Sequence, residues 1–181
     1  MTKRIHLVQI GTPDPSVMVA ISDAIRETVF RLRSRRVEIV RSPQRLGVGP
    51  FYDSARDQYS SRAMLFTLLD LVPEPDTVLG VTDMDLYQPI LTYVFGEAQL
   101  RGRAALVSTS RLSQRWYGLP ESLAVFYDRT IKEVLHELGH TWGLIHCSDY
   151  RCVMRASRVV EEIDAKDAAF CESCAEKLTI D

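Results

Sequence analysis

A chain of 181 residues, 46% of them hydrophobic and 25% charged, has the composition of a single globular domain with a substantial core. Its formal net charge of −2 excludes a general attraction to nucleic acid or anionic membrane, and no apolar run approaches membrane-spanning length. The N-terminal apolar run stops at Gly11 with no small-residue cleavage pattern, so it reads as a first strand rather than a signal peptide.

That strand is RIHLVQIG. His6, the one histidine outside the later motif, reads there as a strand residue with a local partner. In TPDPS, Asp14 suits a helix cap with Pro15 at the first helical position. Met18, Ile21, Ile25, Val29 and Leu32 then recur at helical spacing. RVEIV reads as a second strand, and residues 42–60, with Gly and Pro among aromatics and charges, as a long irregular connection. The arginines from Arg26 to Arg45 read as a solvated face, because acidic and apolar residues interrupt them.

SRAMLFTLLDLV predicts a second helix and DTVLGVT a third strand, with further strands in YVFGEAQL and RAALVSTS. Over residues 121–142 a long helix is predicted, since Leu123, Tyr127, Ile131, Val134 and Leu138 supply one apolar face. A last helix is expected over 160–178. Strands alternating with helices predict an α/β or α+β fold. The expected division is a sheet-and-helix part, 1–143, and a small C-terminal part, 144–181, within one compact unit.

The chemistry concentrates in HELGHTWGLIHC, residues 136–147, which holds three of the chain's four histidines. On a helix, His136 and His140 project from one face one turn apart, a spacing that lets both imidazoles reach one Zn²⁺ at about 2.0–2.1 Å. Glu137 is too far round the helix to be a good third ligand but is placed to hydrogen-bond a metal-bound water. His146 could not return to the metal on a straight helix. Gly143 lies between, where a positive φ would end the helix and turn the chain back. The run thus reads H-E-x-x-H-x-x-G-x-x-H, with three neutral imidazoles and an open fourth position. Three histidines alone would also accept cobalt or nickel.

This run resembles the metzincin clan of zinc peptidases, which pair it with a downstream Met-turn. The resemblance makes Met154 the Met-turn residue, packed beneath the metal site. Four cysteines narrow the likeness: Cys147, Cys152, Cys171 and Cys174 continue the run as Cys-x₄-Cys-x-Met and a later Cys-x-x-Cys. With RDQYSS, GVTDMDLY, FGEAQL and ALVSTSRL upstream, the chain from about residue 50 onward is similar to the archaemetzincins. The fold implied is metzincin-like, with a mixed sheet, a long active-site helix and a zinc-braced C-terminal part.

Read from spacing, the two cysteine pairs suit a closed Cys₄ zinc site with Zn–S bonds near 2.3 Å; two disulfides or buried free thiols are the alternatives. If the chain is extended at His146 and Cys147, one backbone step serves both metal sites, and the structural zinc would brace His146. Two Zn²⁺ per chain are therefore expected, one catalytic and one structural.

The implied activity is peptide-bond hydrolysis through a zinc-activated water, with Glu137 as general base. No tyrosine follows the Met-turn soon enough to act as a second oxyanion donor; Arg155, Ala156 and Ser157 stand there instead. RAALVSTS is a candidate edge strand for substrate, or else an interior one. Endopeptidase and aminopeptidase action remain open, with Asp83, Asp85 and Glu97 as candidates for holding a substrate amine. The expected partner is a peptide or protein substrate, with no nucleic acid and no membrane, for a monomeric, cytoplasmic chain. The rival reading is a catalytically silent zinc-containing binding module, which the intact Glu137 argues against. A nucleic-acid-binding finger in the cysteine tail has the wrong charge, because EEIDAKDAAFCESCAEK is net acidic.

Overall fold

The computed structural model describes residues 4–33 and 37–178. Strand β1 (Arg4–Ile10) ends at Gly11, whose φ is +72°, and the chain enters helix α1 (Pro15–Arg33). The Asp14 carboxylate accepts the Ser16 N–H at 2.8 Å and its hydroxyl at 2.7 Å, which meets the unpaired donors at a helix start. Strand β2 (Glu38–Leu46) lies parallel to β1 and runs further than the apolar stretch RVEIV indicates. A register shift between Leu7 and Gln9 lets Arg45 and Leu46 pair with Gln9 and Ile10. This strand is at the sheet edge, where Pro43 and a polar run are tolerated. Arg35 and Arg36 of the Arg-rich stretch lie outside the described residues.

Residues 47–60 are more ordered than the expected irregular connection. They hold a 3₁₀ turn and two short strands, β3 (Tyr52–Asp53) and β4 (Gln58–Ser60). Ser60 caps helix α2 (Ser61–Leu69). Then follow β5 (Thr77–Thr82), β6 (Leu86–Gln88), β7 (Leu91–Val94), β8 (Gly96–Ala98) and β9 (Ala104–Ser108). The main sheet has the order β2-β1-β5-β9-β8, parallel except for β8, which pairs antiparallel to β9. A second sheet has the order β3-β4-β6-β7.

Two strand expectations change. YVFGEAQL is not one strand: it turns a corner at the buried Phe95, so that Val94 pairs with Leu86 in the small sheet and Gly96 with Val107 in the main one. RAALVSTS is interior, because β9 is hydrogen-bonded by β5 on one side and β8 on the other. The edge strand beyond β9 is β8.

Alternation along the strands divides the core in two. Ile5, Leu7, Leu79, Val81, Ala105 and Val107 face α1 and helix α3 (Leu123–Thr141). Val8, Ile10, Val78 and Leu106 face Met64, Leu65 and Leu68 of α2. At Gly80 a Cβ would come within 2.7 Å of Leu68 and 3.0 Å of both Ile10 and Leu106, so α2 sits close to the sheet only because this residue has no side chain.

Beyond α3 the chain packs into the first of these cores through Leu144, Cys152, Val153, Met154, Cys174 and Leu178. The single helix expected over 160–178 is two short ones, α4 (Val160–Asp164) and α5 (Glu172–Lys177). Between them the backbone is committed elsewhere. The Asp167 N–H donates to the Arg151 carbonyl at 2.8 Å, and the Ala169 carbonyl accepts the Val153 N–H at 2.9 Å. Those bonds replace helical ones. Buried Arg129 of α3 holds Asp164 with two bonds of 2.7 Å and so fixes α4 against α3.

Gly80→Val would overpack the sheet–α2 contact. The expected loss is about 1–3 kcal/mol of unfolding free energy, read as a lower urea midpoint with an unchanged m-value.

Candidate metal centre and active site

Ser122 caps α3, and the apolar face of that helix presses against the sheet through Val134, Leu135 and Leu138. The helix ends in a glycine-dependent reversal. Gly143 has a φ of +97°, its N–H donates to the His140 carbonyl at 3.0 Å, and the Leu144 N–H donates to Gly139 at 2.9 Å. The chain thereby doubles back and carries His146 to the face that His136 and His140 present. The ligand nitrogens of all three lie within 4.8 Å of one another.

Two of the imidazoles have their protons assigned by their surroundings. Nδ1 of His136 meets the Val153 carbonyl at 2.8 Å, and Nδ1 of His140 meets the Leu144 carbonyl at 2.7 Å. A carbonyl can only accept, so both Nδ1 atoms carry hydrogen and both Nε2 atoms present a lone pair. Those two Nε2 atoms are 3.2 Å apart. Two lone pairs facing at that distance repel unless a cation lies between them, and a tetrahedral ion with ~2.0–2.1 Å bonds spaces its donors by ~3.3–3.4 Å. Burial is the main cause that lowers the pKa of His136, His140 and His146, which keeps the rings neutral as ligation requires. The donor set fits a zinc-type ion.

Glu137 is buried beside this group, against β8. A Cβ on Gly96 would sit 2.6 Å from Glu137 Oε1, so the glycine makes room for the carboxylate. Burial first, then the charges of Glu133 and Glu97, push its pKa well above the usual carboxylate range. A bound cation would act in the opposite sense. The cleft, about 540 Å³, is lined by residues 91–98, by Ala156, Ser157 and Arg158, and by Glu133 and Glu137 with the three histidines. Tyr93 donates to the Arg158 carbonyl at 2.6 Å across one end.

Of the acidic residues considered for binding an amine, two are committed elsewhere. Asp83 accepts from the N–H and hydroxyl of Thr12 at 3.0 and 2.9 Å, and Asp85 takes Arg111 in two bonds of 2.6 and 2.7 Å. Glu97 lines the cleft and accepts from Ser61 Oγ at 2.6 Å. His6 pairs with Asp76 at 2.8 Å, far along the chain and away from the motif.

Met154 is fully buried against α3, where a Cβ on Gly139 would overlap its sulfur. Helix and turn therefore touch through a glycine. Behind the turn, the ligand atoms of Cys147, Cys152, Cys171 and Cys174 lie within 4.8 Å of one another, with Cys147 and Cys171 sulfurs 3.8 Å apart. None of the four is in a disulfide. The separation matches the ~3.8 Å edge of a tetrahedron with ~2.3 Å Zn–S bonds, and is far beyond the ~2.05 Å of a disulfide. Burial raises the Cys152 and Cys174 thiols, while hydrogen bonding from the Cys174 backbone lowers Cys171. A bound Zn²⁺ would remove those thiol protons.

A model of peptidase family M54 matches residues 12–180. The chain belongs to peptidase family M54. A relative, the archaemetzincin of Methanocaldococcus jannaschii, is 44% identical over 127 residues, covering 70% of this chain and 69% of its own. The crystal structure of the Methanopyrus kandleri archaemetzincin superposes with a TM-score of 0.84 at 38% identity, covering 97% of this chain and 92% of that one. A zinc-dependent peptidase of Methanocorpusculum labreanum gives 0.78 at 29% identity, with 96% and 98% covered. This M54 protein is accordingly a zinc metallopeptidase with the archaemetzincin fold.

Several residues of the M54 site carry no mark in the sequence. Glu133 stands one turn before His136 on the same helical face, and that spacing is the one signal that points to it. Gly96, Lys166 and the carbonyls of Leu144 and Val153 become visible only when distant segments meet.

Gly143→Ala would force a side chain into the left-handed region. A loss of roughly 1–2 kcal/mol is expected, together with weaker retention of metal at the three histidines, measured by denaturant titration and chelator competition.

Proposed function

We propose that this M54 peptidase hydrolyses peptide bonds with His136, His140 and His146 holding one zinc and Glu137 acting as general base. The observation that carries this is the pair of Nε2 lone pairs turned toward each other while both Nδ1 atoms are tied to carbonyls, with the Glu137 carboxylate alongside. When bound, zinc supplies Lewis-acid polarisation of the scissile carbonyl and a more acidic water. Glu137 takes a proton from the attacking water as its oxygen bonds to the carbonyl carbon. It then delivers that proton to the amine nitrogen as the C–N bond breaks. The substrate backbone extends the main sheet along the open edge of β8, which runs past Glu137 and is already one wall of the cleft.

A second zinc in the Cys147, Cys152, Cys171 and Cys174 group is structural in this reading, since four thiolates leave no position for substrate. It braces His146 through the peptide bond that joins His146 to Cys147. The Cys147 N–H also donates to the Met154 carbonyl at 3.0 Å, so the brace reaches the Met-turn.

Mass-spectrometric mapping of new termini after incubation with a mixed peptide library tests the catalytic assignment. Wild-type protein is expected to cleave, and Glu137→Gln to retain zinc while losing ~10²–10⁴-fold in kcat/KM. An inert wild type with its zinc in place would instead mark a binding module. Cys171→Ser is expected to release the structural metal and weaken the three-histidine site by about tenfold or more. Unchanged affinity there would sink the brace.

A further inference from the structure

Lys166 follows α4 and sends its ammonium inward beneath the cleft, where its side chain is 0% exposed. A buried ammonium is costly unless its N–H donors are met. Three acceptors surround this one: Glu133 Oε1 at 3.0 Å, the Arg155 carbonyl at 3.1 Å and the Val153 carbonyl at 3.4 Å. They belong to two different segments. Glu133 is on α3, one turn before His136, while Val153 and Arg155 flank Met154 in the turn below.

The Val153 carbonyl has a second donor, Nδ1 of His136. One backbone oxygen therefore links the ammonium to a metal ligand. Nothing in the proton transfers assigned to Glu137 uses Lys166, yet its bonds connect the helix bearing two of the histidines to the turn that orients one of them. We propose that Lys166 is a positioning residue for the three-histidine site: by tying both carbonyls around Met154 to Glu133, it holds the Val153 oxygen where it aims His136 Nε2 at the metal. The inference rests on the reading of His136, His140 and His146 as a metal site.

The residue type follows from the partners. Two carbonyls and a carboxylate converging on one point need a compact cation with three divergent donors, which Lys supplies and the flat guanidinium fork of Arg does not. A buried apolar substitute would leave Glu133 uncompensated and the two carbonyls less well anchored. A merely structural Lys166 would matter only because Glu133 needs a counter-charge. The two roles separate in the double variant K166M/E133M, which removes the charge pair together and leaves the turn untied.

The experiment loads wild type, K166M and K166M/E133M with Co²⁺. The thiolate-to-cobalt charge-transfer band reads the cysteine site, and because Co²⁺ at four thiolates has visible d–d bands of its own, the three-histidine site is read from the d–d difference between each protein and its H140A counterpart. Both variants are expected to bind cobalt at the histidines ~10–100-fold more weakly, with an altered d–d spectrum. The charge-transfer band should keep its wild-type affinity and so certify the fold. With zinc, kcat should fall while KM stays unchanged. Wild-type cobalt affinity and d–d bands in the double variant would overturn the proposal and leave Lys166 as a counter-ion to Glu133. Wild type lacking the histidine-site bands would overturn the metal-site reading, and this inference with it.

Discussion

Two imidazole lone pairs held 3.2 Å apart are the constraint on which the rest of this structure depends. Left alone they repel, so each ring must be anchored from behind, and the anchors are backbone carbonyls rather than side chains. The Leu144 carbonyl exists in the right place because Gly143 ends α3 with a left-handed turn. The Val153 carbonyl exists there because the tail folds back beneath the helix. Backbone anchors are stiff, since moving one means moving the chain. They also fix the tautomer that leaves Nε2 free.

Small residues let these segments approach. Gly139 admits Met154 and Gly96 admits Glu137, each at a distance that a methyl group would violate. Helix α3 is thus in close contact with the turn at Met154 and with the edge strand β8. Packing of this density transmits displacement directly. A shift of Met154 or of β8 would therefore displace the helix that carries His136, Glu137 and His140.

The tail after α3 is organised by the same economy of chain. His146 and Cys147 are neighbours, yet one joins the histidine group and the other the thiol group. Between α4 and α5, backbone groups are hydrogen-bonded to residues 151–153 instead of to one another. The last element accordingly breaks into two short helices around the cysteine group. Away from the thiol group, β8 ends the main sheet, and β8 and residues 156–158 both line the cleft.

The clustering of the three histidines, the reversal at Gly143 and the gathering of the four cysteines were legible because each follows from a local pattern: spacing on one helix, a glycine between two histidines, or paired cysteines. The alternation of strands and helices was legible for the same reason, since Ile5, Leu7, Leu79 and Val81 mark strand faces and Val134 and Leu138 a helix face. Other features are not local. That β9 is interior and β8 the edge depends on sheet order, which no periodicity within RAALVSTS or YVFGEAQL encodes. The corner at Phe95 is set by two sheets competing for one strand's backbone. The extension of β2 to Leu46 needs β1 as its partner, and the split of the last helix needs the carbonyl of Arg151 and the N–H of Val153. Sequence by itself determined which atoms can bind metal and take a proton. Tertiary structure alone decided which carbonyls orient those atoms, which strand ends the sheet beside Glu137, and that Lys166 is buried, because those relations join residues far apart in the chain through hydrogen bonds that only folding creates.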